Sequence, residues 1–146
     1  MGGTNGAPDY VGLVFVYGTL KRGERSHGLL GDAAFEGTAL LSGLELYNLG
    51  PFPMAICNPQ ASRPISGELY SVTAQQLQAL DRFEGVPRLY RRELHRLSDG
   101  REAWVYLGNP RQVRFAPVLS NGWWSGSDHN QPTPLSAAST LRPISS

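Results

Sequence analysis

Cysteine is all but absent. Cys57 stands alone, so no intramolecular disulfide can brace the fold, and a reducing compartment is the simpler setting. Lysine is equally scarce: the thirteen Lys and Arg residues are twelve arginines and one lysine, Lys21, against twelve acidic residues. A formal net charge of +1 argues against a nucleic-acid binder that works through bulk charge. No apolar run approaches the ~20 residues of a membrane helix. The opening MGGTNGAPDY has neither the basic region nor the apolar stretch of a secretory signal, and Gly6 stands where a myristoylation motif needs Ser or Thr. These absences lead us to expect a soluble, cytoplasmic chain with no nucleic-acid or membrane partner.

What remains suits one domain. A chain of 146 residues can bury most of its apolar surface, and seventeen glycines with eleven prolines predict many turns and little helix. Residues 1–10 read as a flexible lead, 11–119 as the folded domain, and 120–146 as a Ser/Pro-rich tail, poorly ordered or wrapped on the surface. Strands are expected at 11–17, at 35–49 with bends at Gly37 and Gly43, at 54–57 and at 65–72. Residues 90–107 read as a hairpin turning on Ser98-Asp99-Gly100. One helix is predicted over 74–83. Thr73 and Gln76 form a capping box, Val72 and Leu77 a hydrophobic staple, and Gly85 and Pro87 end it.

On that helix Leu77, Leu80 and Glu84 fall at i, i+3 and i+7, so the two leucines aim a carboxylate at the core. Burial without a partner raises a carboxyl pKa, and the negative end of the helix dipole acts in the same direction. A carboxyl moved toward neutrality suits general acid/base chemistry. Glu84 could equally turn outward past Gly85, or pair with Arg88 or Arg91.

The stretch FVYGTLKRG (15–23) ends an apolar strand in a glycine turn. The amides of residues 18–20 could form a small anion nest, with the Thr19 hydroxyl beside them, although a plain loop explains the same residues. The spacing to Lys21 is not that of a phosphate loop. His27, His95 and His129 are far apart in sequence, so no metal site is expected. Cys57 lies in an apolar stretch with no adjacent base and reads as a packed thiol. Arginines of RLYRRELHR are expected to alternate onto a solvent face, and Glu68 is the second-ranked carboxylate, its face undecided.

The blocks VFVYGTLKRG (14–23), LYNLGPFPM (46–54), GELYSV (67–72), LDRFEGVPRLYRR (80–92) and AWVYL (103–107) together resemble the gamma-glutamylcyclotransferase-like family, nearest its gamma-glutamylamine cyclotransferase branch. The resemblance covers roughly residues 12–108, and NGWWSG (121–126) is similar to a Gly-Asp-Trp segment of some members. It implies an α+β fold: a small closed mixed β-barrel with few short flanking helices and a substrate cavity at its mouth. It places the family's general acid/base on Glu84. Tyr17, Gly18, Thr19 and Leu20 would bind substrate through backbone amides, with Tyr90 also lining the pocket. The implied reaction converts a gamma-glutamyl amide to 5-oxoproline and a free amine, without metal or cofactor. Ser26 stands where many relatives carry Asn before His27, which leaves leaving-group preference open. Two other readings stay open: a non-catalytic small-molecule-binding barrel, and the same chemistry used to remove a gamma-glutamyl protecting group in biosynthesis. Oligomeric state is not legible.

Overall fold

The computed structural model describes residues 10–126. The strands are β1 (Tyr10–Val16), β2 (Ala34–Leu41), β3 (Leu44–Asn48), β4 (Pro53–Cys57), β5 (Ile65–Thr73), β6 (Arg91–Arg96) and β7 (Glu102–Leu107). The helix α1 (Ala74–Glu84) lies between β5 and β6, and two single 3-10 turns occupy His27–Leu30 and Pro110–Val113.

β1 is the axis of the molecule. In the five-stranded sheet, ordered β2-β5-β1-β7-β6, it pairs antiparallel with β5 and parallel with β7. Its position between two neighbours, with both faces covered, accounts for the unbroken apolar run. Strand alternation sends Val14 and Val16 into one core cluster and Phe15 and Tyr17 into another. The first cluster takes Leu77 and Leu80 of α1; the second takes Leu44, Leu46 and Ala55 from β3 and β4. Gly67 on β5 lets the sheet close up here, because a Cβ at that position would lie 2.5 Å from the Val16 carbonyl oxygen and 2.7 Å from the Phe15 ring.

The ends of the helix are set by its flanking residues. The Thr73 hydroxyl accepts from the Gln76 amide at 3.1 Å and the Gln76 side chain accepts from the Thr73 amide at 2.9 Å, completing the capping box. Gly85 ends the helix at φ 70°, a left-handed conformation that side chains resist. The Ser98-Asp99-Gly100 turn joins β6 to β7 as expected, and the pairing of β2 with β5 slips between Phe35 and Thr38, around Gly37.

The mixed α+β architecture follows the expectation, but the closed barrel does not. Neither sheet closes on itself: β2 and β6 are free edges of the larger sheet, and β3–β4 forms a separate two-stranded ribbon. The gaps are crossed by single hydrogen bonds rather than ladders. Ser98 donates to the Leu40 carbonyl at 2.9 Å, and Gly108 to that of Ala55 at 3.0 Å. Closure requires consecutive paired residues along both edges, and isolated bonds do not supply them.

Residues 117–126 pack against the sheets. Asn48 donates to Pro117, Leu119 to Leu46, and Ser66 to Gly122, which stitches this segment to β3 and β5. Trp124, expected in the tail, is 1% exposed and belongs to the second core cluster.

Candidate active site

Glu84 ends α1 on the leucine face and is 0% exposed. Neither of its carboxylate oxygens has a hydrogen-bond partner among the described residues. The alternatives left open by sequence do not occur: the side chain does not turn outward, Arg88 is exposed, and Arg91 is engaged elsewhere, with Glu93 and the Gly108 carbonyl. Burial, reinforced by the charge of Asp81, pushes the Glu84 carboxyl well above the usual carboxylate range.

Three tyrosines enclose this region. Burial, then the nearness of Tyr17 and Glu84, pushes the Tyr90 phenol well above its ordinary value. Burial and Asp81 hold Tyr106 protonated in the same way, with Glu84 a smaller contributor. The Tyr17 hydroxyl donates to the Tyr106 carbonyl at 2.6 Å and accepts from the Ala55 amide at 3.2 Å, tying β1 to β7 and β4. Tyr90 donates to the Pro53 carbonyl at 3.3 Å. The structure thus brings Tyr17, Tyr90 and Glu84 together.

The turn after β1 is as enclosed as the acid. Gly18, Thr19 and Leu20 are all buried. Its carbonyls are occupied: Gly18 accepts from Lys21, Thr19 from Ser26, and Leu20 from His27 Nδ1 at 2.9 Å. A carbonyl only accepts, so that ring nitrogen carries a proton. A buried acid without a donor is what a polar ligand would satisfy.

The remaining acids are accounted for. Glu68, 6% exposed, accepts from the Arg22 amide at 2.8 Å and the Tyr70 hydroxyl at 2.9 Å, so it anchors the loop beyond the turn. Asp81 takes both arms of the Arg92 guanidinium, at 2.8 and 3.1 Å, and the Tyr106 hydroxyl at 2.7 Å. Arg92 also lies over the Trp104 ring at 4.3 Å, so it is no free solvent-face arginine.

Two features escape a reading of the sequence. Lys21 is 1% exposed: its ammonium donates to the Trp124 carbonyl and sits 3.2 Å above the Trp123 ring. Burial lowers its pKa to about 8, against the opposing pull of Glu24 and Glu68. The second is Cys57, which is exposed rather than packed. It lies at the end of β4, where β6 brings Glu93 and His95 beside it. Cysteines and histidines distant in the chain can meet where strands of separate sheets approach, which linear spacing does not register.

These features define a small mixed α+β domain organised around one enclosed acid and a turn of buried amides. The chain belongs to the gamma-glutamyl cyclotransferase, AIG2-like family, whose profile matches residues 14–126. It is 38% identical over 95 residues to a human protein named gamma-glutamylaminecyclotransferase, across 58% of this chain and 61% of that one. A Vibrio cholerae protein carried under a provisional gamma-glutamylcyclotransferase name is 34% identical over 118 residues, covering 77% of this chain and 94% of its own length. The crystal structure of a mouse AIG2-like protein superimposes with a TM-score of 0.69 at 27% identity, covering 78% of this chain and 88% of that one. The match spans about three fifths of the human relative. No helix among the described residues is long and apolar enough to cross a membrane.

Proposed function

We propose that this chain is a gamma-glutamylamine cyclotransferase-type enzyme: it cyclises a gamma-glutamyl amide to 5-oxoproline and releases a free amine, with Glu84 as the single general acid/base. The observation that carries the reading is the enclosed, unpartnered Glu84 carboxyl, in a family whose named relatives include gamma-glutamylaminecyclotransferases.

The substrate's α-amine is within reach of its own γ-carbonyl, so the reaction is intramolecular and needs no water. Attack forms the C–N bond of a five-membered lactam, and collapse of the tetrahedral intermediate breaks the original amide bond. The enzyme's tasks are to hold one conformer and to move protons. An α-amine with pKa of about 8 is largely ammonium at neutral pH and unreactive. Glu84 takes the proton from this amine and passes it to the departing nitrogen. A carboxyl with an ordinary pKa would be a weaker base in the first step; the elevated pKa keeps a proton available for the second. The amides of Gly18 and Leu20, with Thr19, bind either the developing oxyanion or the substrate carboxylate, and Tyr17 and Tyr90 flank the substrate.

The test is incubation with a panel of gamma-glutamyl amines, gamma-glutamyl dipeptides and glutathione, with lactam and free amine both measured. Turnover by the wild type that is lost in Glu84→Gln is the expected result. Thermal stabilisation by 5-oxoproline or gamma-glutamyl amines with no turnover of any substrate would point instead to a binding module.

A further inference from the structure

We propose that Cys57, Glu93 and His95 form a site for a borderline-soft divalent cation of the Zn2+ type. The three donors converge from separate parts of the chain. Cys57 ends β4, and Glu93 and His95 lie two residues apart on β6, hence on one face of that strand. Sγ of Cys57 is 4.0 Å from Glu93 Oε1, and His95 Nε2 is 3.0 Å from the same oxygen. All three ligand atoms lie within 4.8 Å of one another. A tetrahedral ion bonded at about 2.0–2.3 Å needs its ligands roughly 3.3–3.7 Å apart, so shifts of about 1 Å or less produce a coordination shell. Side-chain rotation alone can supply shifts of that size.

The donor chemistry selects the ion. Thiolate, imidazole and carboxylate together suit zinc far better than magnesium or calcium, which take oxygen. Three protein ligands leave a fourth position for water or an incoming group.

Arg91 shapes this site and limits its affinity. Its Nε lies 2.5 Å from Glu93 Oε2 and its Nη1 3.0 Å from the Gly108 carbonyl, which leaves Oε1 as the oxygen turned toward the thiol and the imidazole. This is the arrangement of an outer residue that orients a ligating carboxylate. Nη2 also touches Sγ at 3.7 Å, a contact an entering ion displaces. The nearby positive charge opposes the cation, so binding is moderate rather than structural, and the fold does not depend on it.

Titration of the full chain with Co2+, in a phosphine reductant and without chelating buffer, tests the proposal directly. The wild type is expected to develop a thiolate-to-cobalt charge-transfer band and the intense visible bands of a tetrahedral ion, saturating at one ion per chain. Equimolar Zn2+ should bleach both. Cys57→Ser should abolish the charge-transfer band, and His95→Ala should weaken binding about tenfold or more. Cys57 is exposed, so the serine variant should fold, which circular dichroism checks. No charge-transfer band at excess Co2+, or equal binding by wild type and Cys57→Ser, overturns the site. Neither outcome bears on Glu84, whose role is read from lactam release.

Discussion

Asp81 and Glu84 sit one helical turn apart on α1 and have opposite surroundings. Asp81 receives two guanidinium bonds from Arg92 and a hydroxyl from Tyr106, whereas Glu84, enclosed beside it, receives none. Arg92 therefore neutralises Asp81 and leaves Glu84 without a cationic partner. The residual repulsion from Asp81 is the second contributor, after burial, to the raised Glu84 pKa.

Glu84→Gln separates function from stability. On the proposed role of Glu84, its replacement should lower 5-oxoproline formation by about 10²–10⁴. The sign of the stability effect follows from linkage. The folded pKa lies above the unfolded value, so below the unfolded pKa both states are protonated and the carboxyl carries no penalty. As pH rises past that value the unfolded state gains by ionising, and stability falls. A glutamine side chain cannot ionise, so the Glu84→Gln variant should be at least as stable as wild type at neutral pH. That advantage should vanish once the pH falls below the ordinary carboxylate range. Denaturant midpoints at neutral and acidic pH measure it.

Arg92→Gln should unbalance the pair. Both partners are about one quarter exposed, so loss of the bidentate interaction should cost about 1–2 kcal/mol, toward the lower end for charged hydrogen bonds. The uncompensated Asp81 should drive the Glu84 pKa further up, moving the acidic limb of the kcat/KM profile to higher pH. A profile unchanged in position would mean that Asp81 is screened from Glu84. The double variant Asp81→Asn with Arg92→Gln should return the limb toward wild type.

Lys21→Met tests the buried ammonium. Its folded pKa of about 8 lies below the ordinary 10.5, so between those values the unfolded chain keeps a proton that the folded chain has released. The burial cost is complete below about pH 8, and stability rises with pH through the window. Stability of the variant minus that of wild type should therefore shrink by roughly 2 kcal/mol from about pH 7.5 to about pH 10. Paired urea titrations at both pH values give that difference free of other titrating groups.

Gly67→Ala puts a methyl where the Val16 carbonyl lies 2.5 Å away. The obstacle is backbone of the central strand rather than a side-chain tip, so β1 and β5 must separate. A loss of about 1–3 kcal/mol is expected, read as a lower melting temperature. Because β1 leads into Tyr17–Leu20, turnover should fall by more than the unfolded fraction explains.

The local features were legible because they depend on neighbours in the chain. Thr73, Gln76 and Gly85 specify the ends of α1, and the three-four spacing of Leu77, Leu80 and Glu84 aims the acid inward. The apolar run of β1 announced a strand covered on both faces. The features that depend on contacts between distant segments were not legible. Whether the sheet closes is decided at the edges of β2 and β6, and no periodicity within a strand reports on an edge. The burial of Lys21 is not legible because its acceptor, the Trp124 carbonyl, lies 103 residues away. Alternation in RLYRRELHR places some arginines on a solvent face but does not show that Arg92 meets Asp81 of α1 and Trp104 of β7. The residues before Cys57 in sequence are apolar, while its neighbours in space, Glu93 and His95, come from β6.

The position of β1 has a consequence for biosynthesis. This strand precedes its partners β5 and the much later β7, and among the described residues Trp124 is the latest member of the second core cluster. At synthesis rates of about 5–20 residues per second, the greasiest segment waits on the order of 5–20 s for the residues that cover it. Until β7 emerges, Val14, Phe15 and Val16 lie in a strand with at least one edge unpaired, the kind of edge that invites pairing with another chain.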